Sequence, residues 1–299
     1  MNLENPKKFK LLVDQAHEVA ANFFRPISRK YDKAEHAYPK ELDMLASLLA
    51  GMNEGSDSAT GAATAGKRGA VREEGIRNGS NMSTALGVIE LCYGDTGLLL
   101  TMPRQGLGNS AIAAVANDEQ LERFAGKWAA MAITEPGTGS DSANIRTTAV
   151  KDGDDYIING EKIYVTCGER ADCVVVWATL DKNLGRAAIK SFVVERGTPG
   201  MEVARLEHKL GIKASDTAAL NFTDCRVPAA NLLGNPEIDV AKGFAGVMET
   251  FDNTRPLVAA MAVGCAKASL ERIKELFKDQ LDANYATPML NTTNIAATI

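Results

Sequence analysis

Two short segments carry the residue types in this chain that could bind a polar ligand. The first is the run Ile133-Thr134-Glu135-Pro136-Gly137-Thr138-Gly139-Ser140-Asp141, and the second is Tyr164-Val165-Thr166. Proline restricts its own φ and the two glycines permit a tight backbone, so the first run predicts a loop whose peptide N–H groups can face a ligand. Three hydroxyl side chains of this loop can donate to carbonyl or phosphate oxygens: Thr134, Thr138 and Ser140. The loop therefore suits a polar ring or a pyrophosphate, and an ordinary turn remains the alternative.

Composition narrows the possible functions. The chain has 299 residues, of which 45% are hydrophobic and 24% charged, enough for about two globular domains with a sizeable core. The net charge of -5 leaves no basic stripe, so nucleic acid is not an expected partner. No apolar run is long enough to span a membrane, and the polar start at 1–10 lacks the apolar core of a signal peptide. We expect a cytoplasmic protein.

The cysteines and histidines show no spacing typical of a metal site or a catalytic pair. There are five cysteines, at Cys92, Cys167, Cys173, Cys225 and Cys265, and no Cys-x-x-Cys motif. The three histidines, His17, His36 and His208, are equally scattered. A catalytic cysteine needs a matching base, and none is evident. We therefore predict reduced packing thiols and no metal site.

The first third of the sequence has a helical period. Apolar residues recur every three or four positions between Phe9 and Ile27, which predicts one buried stripe: Phe9, Leu12, Val13, Ala16, Ala20, Phe23 and Ile27. A second helix is predicted after Pro39, where the same apolar period continues through Leu42, Leu45, Leu48, Leu49 and Met52. The small-residue segment 51–75 predicts a flexible loop, and the Ala-rich stretches 82–100 and 106–128 predict buried helices.

The middle third has the period of strands. Residues 156–165 place β-forming runs on both sides of Asn159-Gly160, which predicts a hairpin turn at that pair. Further strands are predicted at 174–178, 191–195, 201–206 and 219–223. Together they indicate a small antiparallel β-barrel or sandwich.

Helical periodicity returns between about 240 and 281. Pro256 lies inside this stretch, and a kink is expected there because proline removes one helical hydrogen bond. Asp252 and Arg255 lie three residues apart on one face. They are either an exposed ion pair of little energetic consequence or a charged pair that faces a ligand at the kink.

These residues resemble the acyl-CoA dehydrogenase family over nearly the whole chain, to about Asp279. The run from Ile133 to Asp141 is similar to the family's flavin signature, and Gly153 to Gly168 to the hairpin that ends in its aromatic-x-Thr flavin contact. The segment Phe251-Asp252-Asn253-Thr254-Arg255-Pro256 is similar to the start of its substrate-facing helix. Three motifs in the family's order make the resemblance specific.

The resemblance implies an α+β architecture in three parts. An N-terminal helical domain would span 1–129, a middle antiparallel β-barrel or sandwich 130–238, and the start of a C-terminal helical bundle 239–299. The apolar pattern at 294–299 stops abruptly, and with the rest of the bundle absent the long helix would leave Val258, Met261, Val263 and Leu270 without partners. We expect a truncated product, or a subunit completed by another chain.

The resemblance also implies a set of FAD contacts: Met131, Ile133, Thr134, Gly139, Ser140, Tyr164, Val165 and Thr166. Tyr164 would lie against the isoalloxazine where the family usually has tryptophan, and Thr166 would bond near flavin N5. Ser140, Asp252 and Arg255 would contact the acyl-CoA substrate. The implied reaction removes an α-proton and transfers the β-hydride to flavin N5, giving a trans-2-enoyl-CoA. Electron-transfer flavoprotein would reoxidise the flavin, and the enzyme would be a homo- or hetero-oligomer.

The catalytic base is missing from the expected positions. Abstraction of an α-proton needs a carboxylate at the thioester, which most of the family supplies from a late helix of the bundle. In a minority the base lies at the position held here by Thr254, whose hydroxyl is too weakly basic, and Glu249 points about 140° away around the helix. The alternative is a non-catalytic or partner-dependent subunit. An acyl-CoA oxidase or flavin monooxygenase of the same fold is a third, weaker possibility.

Overall fold

The computed structural model describes residues 7–53, 80–104, 106–238 and 245–277. The chain forms two compact units. One unit comprises Met1–Pro26, Asn81–Thr96 and Leu257–Ile299, and the other comprises Ile27–Ser80 and Gly97–Pro256. Helices come first, a β-sheet follows, and a long helix comes last, which confirms the predicted fold class.

The first helical stretch differs from the predicted stripe in which side chains it buries. A 3-10 turn at Lys7–Phe9 leads into α1 (Lys10–Val19), a π-helical turn at Ala20–Phe24 and α2 (Arg25–Lys33). Ala20 and Phe24 are fully buried, whereas Leu12 is exposed and Phe23 only half-buried. A π turn holds more residues than an α turn, so it shifts the apolar face by about one position after Val19.

Within the described residues, five further helices precede the sheet. These are α3 (Glu41–Asn53), α4 (Ser80–Gly94), α5 (Thr96–Leu100), α6 (Leu107–Val115) and α7 (Asp118–Phe124). Leu42 and Leu45 are buried as predicted. The predicted loop at 51–75 is wrong at its start, because α3 continues to Asn53, and from residue 54 it lies outside the described residues. Each predicted long helix breaks once, at Asp95 and at Asn117, where a capping box with Gln120 starts α7.

The sheet has seven strands. They are β1 (Ala129–Ala132), β2 (Thr148–Asp152), β3 (Asp155–Thr166), β4 (Cys173–Thr179), β5 (Ile189–Glu195), β6 (Met201–Leu206) and β7 (Thr217–Pro228). The order is β1-β4-β2-β3-β7-β6, and β5 also pairs with β4. The sheet is mixed and not purely antiparallel as predicted, because β1 and β2 both run parallel to β4. Strand β2 was not predicted from the sequence.

The Asn159-Gly160 pair lies inside β3 and does not form a hairpin turn, so that prediction is wrong. The turn lies between β2 and β3, at 153–154. A side chain at Gly160 would place its Cβ 2.4 Å from Thr147 Oγ1, and Gly160 has a φ of 152°. The register with β7 shifts between Ile158 and Gly160. The glycine therefore marks a bulge where another segment passes close to the strand.

Alternate side chains of β4 supply two separate cores. Val174, Val176 and Ala178 pack in one core, on one face of the sheet. Cys173, Val175 and Trp177 pack in the other, together with residues of α6 and α7. Every residue of β4 is buried, which explains why this strand reads as a continuous apolar run. Ile133, just after β1, belongs to the helix-covered core.

The long helix α8 spans Ala245–Leu276 and contains Pro256. The predicted extensions at 240–244 and 278–281, and the apolar pattern at 294–299, lie outside the described residues. Val258 and Val263 are 59% and 53% exposed, while Met261 and Leu270 are half-buried. Among the helices described, none combines the length and the hydropathy needed to cross a membrane.

Candidate functional site

One cavity gathers most of the residues that the sequence analysis selected. Its volume is about 320 Å³, and its lining combines apolar side chains, hydroxyls and one cation: Leu107, Met131, Ile133, Thr134, Gly139, Ser140, Ser142, Ile163, Tyr164, Thr166 and Arg255. All of these residues belong to a single compact unit of the chain. The two segments predicted to bind a ligand, 133–141 and 164–166, therefore both contribute to one cavity.

The close packing of α6 on β1 shapes the apolar wall of the cavity. A Cβ at Gly108 would lie 2.1 Å from the carbonyl oxygen of Ala130, so only glycine fits there. The Asn109 side chain accepts from the amide of Ala129 at 3.0 Å and donates to the carbonyl of Lys127 at 2.8 Å. These contacts hold the start of α6, and with it Leu107, against β1.

The loop after β1 is a tight turn, as predicted. Glu135 and Thr138 exchange two backbone hydrogen bonds of 3.1 Å each, with Pro136 and Gly137 at the tip. Thr138 is buried, and its hydroxyl donates to the Glu135 carboxylate at 3.3 Å. The prediction that Thr138 presents its hydroxyl to a ligand is therefore wrong, because this hydroxyl stabilises the turn itself.

A buried ion pair lies beneath this turn. The Lys162 ammonium donates to Glu135 Oε1 at 2.8 Å and to the carbonyl of Ile133 at 3.1 Å, and the Lys162 side chain is 0% exposed. Burial lowers the pKa of Lys162 to about 8 against the opposing effect of Glu135. Burial raises the pKa of Glu135, but the Lys162 charge and the hydrogen bonds from its neighbours outweigh this and lower it.

A bulge at the end of β3 directs Tyr164 into the cavity. The register with β7 shifts between Lys162 and Val165, and Tyr164 has a φ of 58°. This left-handed conformation is uncommon for a tyrosine and is typical of residues held at functional sites. The ring is 62% exposed and contributes to the cavity lining. The flat ring predicted beside the loop is therefore available to a ligand.

Most predicted contact residues line the cavity, and two do not. Val165 is 1% exposed and packs in the core on the other face of the sheet, so only its backbone is available to a ligand. Asp252 pairs with Arg255 but is not part of the lining. Three lining residues were missed: Leu107, Ser142 and Ile163. The close-packing Gly106 and Gly108 beside Leu107 were the available signal.

Arg255 is the one charged side chain among the described residues of the lining. Its guanidinium lies 3.7 Å from Asp252, and both side chains are largely exposed. An exposed pair of this kind contributes little to stability, since water screens it. Arg255 therefore places a positive charge at the cavity lining.

No carboxylate or imidazole belongs to the described lining of the cavity. Thr254 is buried, and its hydroxyl donates to the carbonyl of Thr250 at 3.1 Å. The side chain of Glu249 is outside the described residues. The residues that the structure describes therefore do not supply the base that the sequence analysis sought.

The cysteines behave as packing residues. All five are free, and four are buried. Burial raises the pKa of Cys167 and Cys173 to about 12 and that of Cys92 and Cys225 to about 11. Such thiols are poor nucleophiles near neutral pH.

The fold brings together two histidines that the sequence keeps far apart. One ligand atom each from Glu35, His36 and His208 lie within 4.8 Å of one another, which the spacing did not predict. The Glu35 carboxylate accepts from His208 Nδ1 at 2.9 Å and from the amide of Lys209 at 2.8 Å. These bonds and the Lys213 charge lower the pKa of Glu35 to about 2. The Glu35 carboxylate already accepts hydrogen bonds from His208 and from the Lys209 amide, and we assign it to these contacts.

Comparison with known proteins identifies the family. A family model described as the acyl-CoA dehydrogenase middle domain matches residues 130–225. The acryloyl-CoA reductase (NADH) of Anaerotignum propionicum is 30% identical over 99% of this chain and 72% of its own length. The chain belongs to the acyl-CoA dehydrogenase family. It spans 56%, 42% and 40% of the length of three other curated relatives.

Solved structures of acyl-CoA dehydrogenases and related proteins support the same family assignment. Butyryl-CoA dehydrogenase from Megasphaera elsdenii superposes with a TM-score of 0.80 at 31% identity, covering 99% of this chain and 75% of that one. A structure from work on the electron transferring flavoprotein of Acidaminococcus fermentans gives a TM-score of 0.74 at 32% identity, covering 91% of this chain and 68% of that one. Acyl-CoA dehydrogenases are FAD-dependent oxidoreductases, so the predicted family, enzyme class and cofactor class are confirmed.

The residues of the cavity fit a flavin ring. An isoalloxazine has a flat apolar body with polar atoms along its edge. The cavity offers an apolar wall of Leu107, Met131, Ile133 and Ile163, a flat tyrosine ring and several hydroxyl donors. A Cβ at Gly139 would meet nothing within 4 Å, which leaves the loop backbone open to a ligand.

Proposed function

We propose that this chain binds FAD in the cavity and takes part in the oxidation of an acyl-CoA thioester to the trans-2-enoyl-CoA. The observation that carries the proposal is the meeting of the 133–141 loop with Tyr164 and Thr166 around one apolar cavity that has hydroxyl donors. Family membership supports the reaction class.

The residues of the chain would each have a limited task in this reaction. Thr134, Ser140 and Thr166 would donate hydrogen bonds to the polar edge of the flavin, and Tyr164 would lie against its ring. Bound FAD supplies the hydride acceptor. Arg255 would hold the phosphate-bearing part of the thioester by charge, while Leu107, Met131 and Ile133 exclude water from the reacting face.

A second function is a non-catalytic or partner-dependent subunit. Two observations favour this function. The described cavity-lining residues include no carboxylate or histidine. Thr254, at the alternative position for the base, donates its hydroxyl hydrogen bond to its own helix. In that case another chain or segment would supply the base. We propose an electron-transfer flavoprotein as electron acceptor, and the similarity to a structure from work on the electron transferring flavoprotein of Acidaminococcus fermentans supports this. The oligomeric state and the cytoplasmic location remain predictions.

The visible spectrum of the purified chain tests these functions. A flavin spectrum that bleaches when acyl-CoAs are added without oxygen is the expected result for a dehydrogenase. A flavin spectrum that stays oxidised would support the partner-dependent subunit, and consumption of oxygen during turnover would support an oxidase or monooxygenase. A colourless protein that does not take up added FAD would contradict the proposed function.

A further inference from the structure

We propose that the buried Lys162–Glu135 ion pair is a positioning device for the cavity, which holds its two ligand-facing segments at a fixed separation. The inference rests on the proposed function for its ligand, FAD. Neither side chain lines the cavity, so the pair would act through the backbone of the residues that do.

The burial of this pair calls for an explanation beyond sheet stability. The Lys162 and Glu135 side chains are 0% and 5% exposed. Removing two charges from water is costly, and well-packed apolar residues at such positions often give equal or greater stability. A strand residue in this environment is usually apolar. The charge is therefore better explained by the specific atoms that it contacts.

Those contacts surround Thr134. The Lys162 ammonium bonds to the carbonyl of Ile133 and to the side chain of Glu135, the two neighbours of Thr134 in the chain. The carbonyl of Thr134 itself accepts from the amide of Ile163 at 2.9 Å. Three consecutive loop residues are thus tied to two consecutive residues of β3, immediately before Tyr164.

The carboxylate of Glu135 also binds the backbone of residues that follow the loop. It accepts from the amides of Arg146 at 2.6 Å and Thr147 at 2.9 Å, and from the Thr147 hydroxyl at 2.6 Å. With the bond from Thr138, the carboxylate gathers both ends of the segment that contains Gly139 and Ser140. Loss of Lys162 would leave this buried charge with neutral hydrogen-bond donors alone, and we expect the loop to open.

Lys162 lies immediately before the β-bulge of β3, so its contacts with the loop are made next to that bulge. Lys162 pairs with Leu220 in the last regular register before the shift, and pairing resumes at Val165. The ammonium therefore fixes the strand at the point where Ile163 and Tyr164 leave the regular ladder and enter the cavity lining.

The test compares Lys162→Met with Gln120→Met in the 299-residue chain. Gln120 is also buried, and its side chain bonds to the carbonyls of Ala230 and Leu232 and the amide of Gly234, none of which lines the cavity. Both substitutions replace a buried hydrogen-bonding side chain with methionine, so both are expected to lower Tm. A third variant, Glu135→Gln, removes the charge while keeping the shape.

Two measurements test whether the ion pair positions the two segments. Hydrogen exchange of peptides covering 133–141 and 163–167, measured without FAD, is expected to speed up at least about tenfold in Lys162→Met and Glu135→Gln and to stay unchanged in Gln120→Met. The dissociation constant of FAD, measured by quenching of flavin fluorescence, is expected to rise at least about tenfold in the same two variants only.

The outcomes separate this inference from the proposed function. Unchanged exchange in both segments would overturn the positioning role, as would equal FAD affinity in Lys162→Met and the wild type. Equal effects in Gln120→Met would also overturn it, since they would show a general loss of stability. If the wild type failed to bind FAD, the proposed function would fail, while the exchange data on the apoprotein would still decide whether the pair holds the two segments.

Discussion

The guanidinium of Arg255 lies 3.7 Å from the carboxylate of Asp252, one turn earlier on α8, and also lines the cavity. Both interpretations that the sequence allowed therefore apply to this pair. It is an exposed ion pair, and it places a cation where an anionic ligand can reach it.

We expect Arg255→Met to weaken the binding of coenzyme A about five- to tenfold at low salt, because one charge-assisted contact with phosphate is lost. High salt should reduce the difference. Titration calorimetry measures both values. Arg272→Met is a matched control, since Arg272 forms a similar exposed pair with Glu275 three residues later on the same helix. Equal weakening in the two variants would contradict a specific role for Arg255.

The hydroxyls of Thr166 and Ser140 are expected to hold the flavin. Thr166→Ala and Ser140→Ala should each weaken FAD binding about five- to tenfold, which corresponds to the loss of one hydrogen bond of about 1 kcal/mol. Thr198→Ala serves as the control, because Thr198 bonds only to the turn after β5. Retention of FAD in both variants at the level of Thr198→Ala would rule out these contacts.

The absence of a base from the described lining can be tested by supplying one. Thr254→Glu places a carboxylate at a buried position of α8, where burial should raise its pKa toward neutrality. In the FAD-loaded protein, we expect acyl-CoA to bleach the flavin faster than in the wild type. Ala259→Glu, at an exposed position of the same helix, should have no effect. A loaded variant that binds acyl-CoA without bleaching would contradict the prediction.

The packing of α6 on β1 should depend on Gly108. Its substitution by alanine forces a Cβ to within 2.1 Å of the Ala130 carbonyl oxygen, so the helix must move. We expect Gly108→Ala to lower the free energy of unfolding by about 2–4 kcal/mol, in the range of strained core substitutions. Gly126→Ala, where a Cβ meets nothing within 4 Å, should be near neutral. Urea unfolding measures the difference, and similar midpoints for the two variants would disprove the packing argument.

The loss of folding stability at acid pH should depend in part on Glu35. Its pKa is lowered from 4.5 to about 2, so the folded state holds its proton less tightly than the unfolded state. This contribution is complete above pH 4.5 and is lost as the pH falls toward 2. Glu35→Gln should remove up to about 1 kcal/mol of stability at neutral pH, and progressively less toward pH 2, because the site is partly solvated. Thermal unfolding between pH 2 and pH 6 tests this, with the exposed Glu202→Gln as the control.

Several features of the site could be predicted because their signals are local. Pro136 and Gly137 form the expected turn, and Ile133, Thr134, Gly139 and Ser140 line the expected cavity. A turn depends on the φ preferences of two or three adjacent residues, and a strand or helix depends on a repeat of two or about four. These properties can be read directly from the order of the side chains.

Other features depend on segments that are distant in sequence. The Asn159-Gly160 pair has the composition of a hairpin turn, yet Thr147 passes so close to Gly160 that the glycine serves a bulge within a strand. The sequence predicted that the Thr138 hydroxyl faces a ligand, but in the fold it donates to Glu135. Both predictions failed because local preference was outweighed by a contact from elsewhere in the chain.

The sequence by itself therefore determined the succession of helical, β and helical regions, the family and the two segments that line the cavity. Only the tertiary structure decided which side chains of those segments face the cavity. It also decided that a lysine of β3, which looks like an ordinary strand residue, lies buried beneath the loop. The physical reason is that burial and ion pairing are set by what packs against a residue, and such partners come from positions that no local pattern specifies.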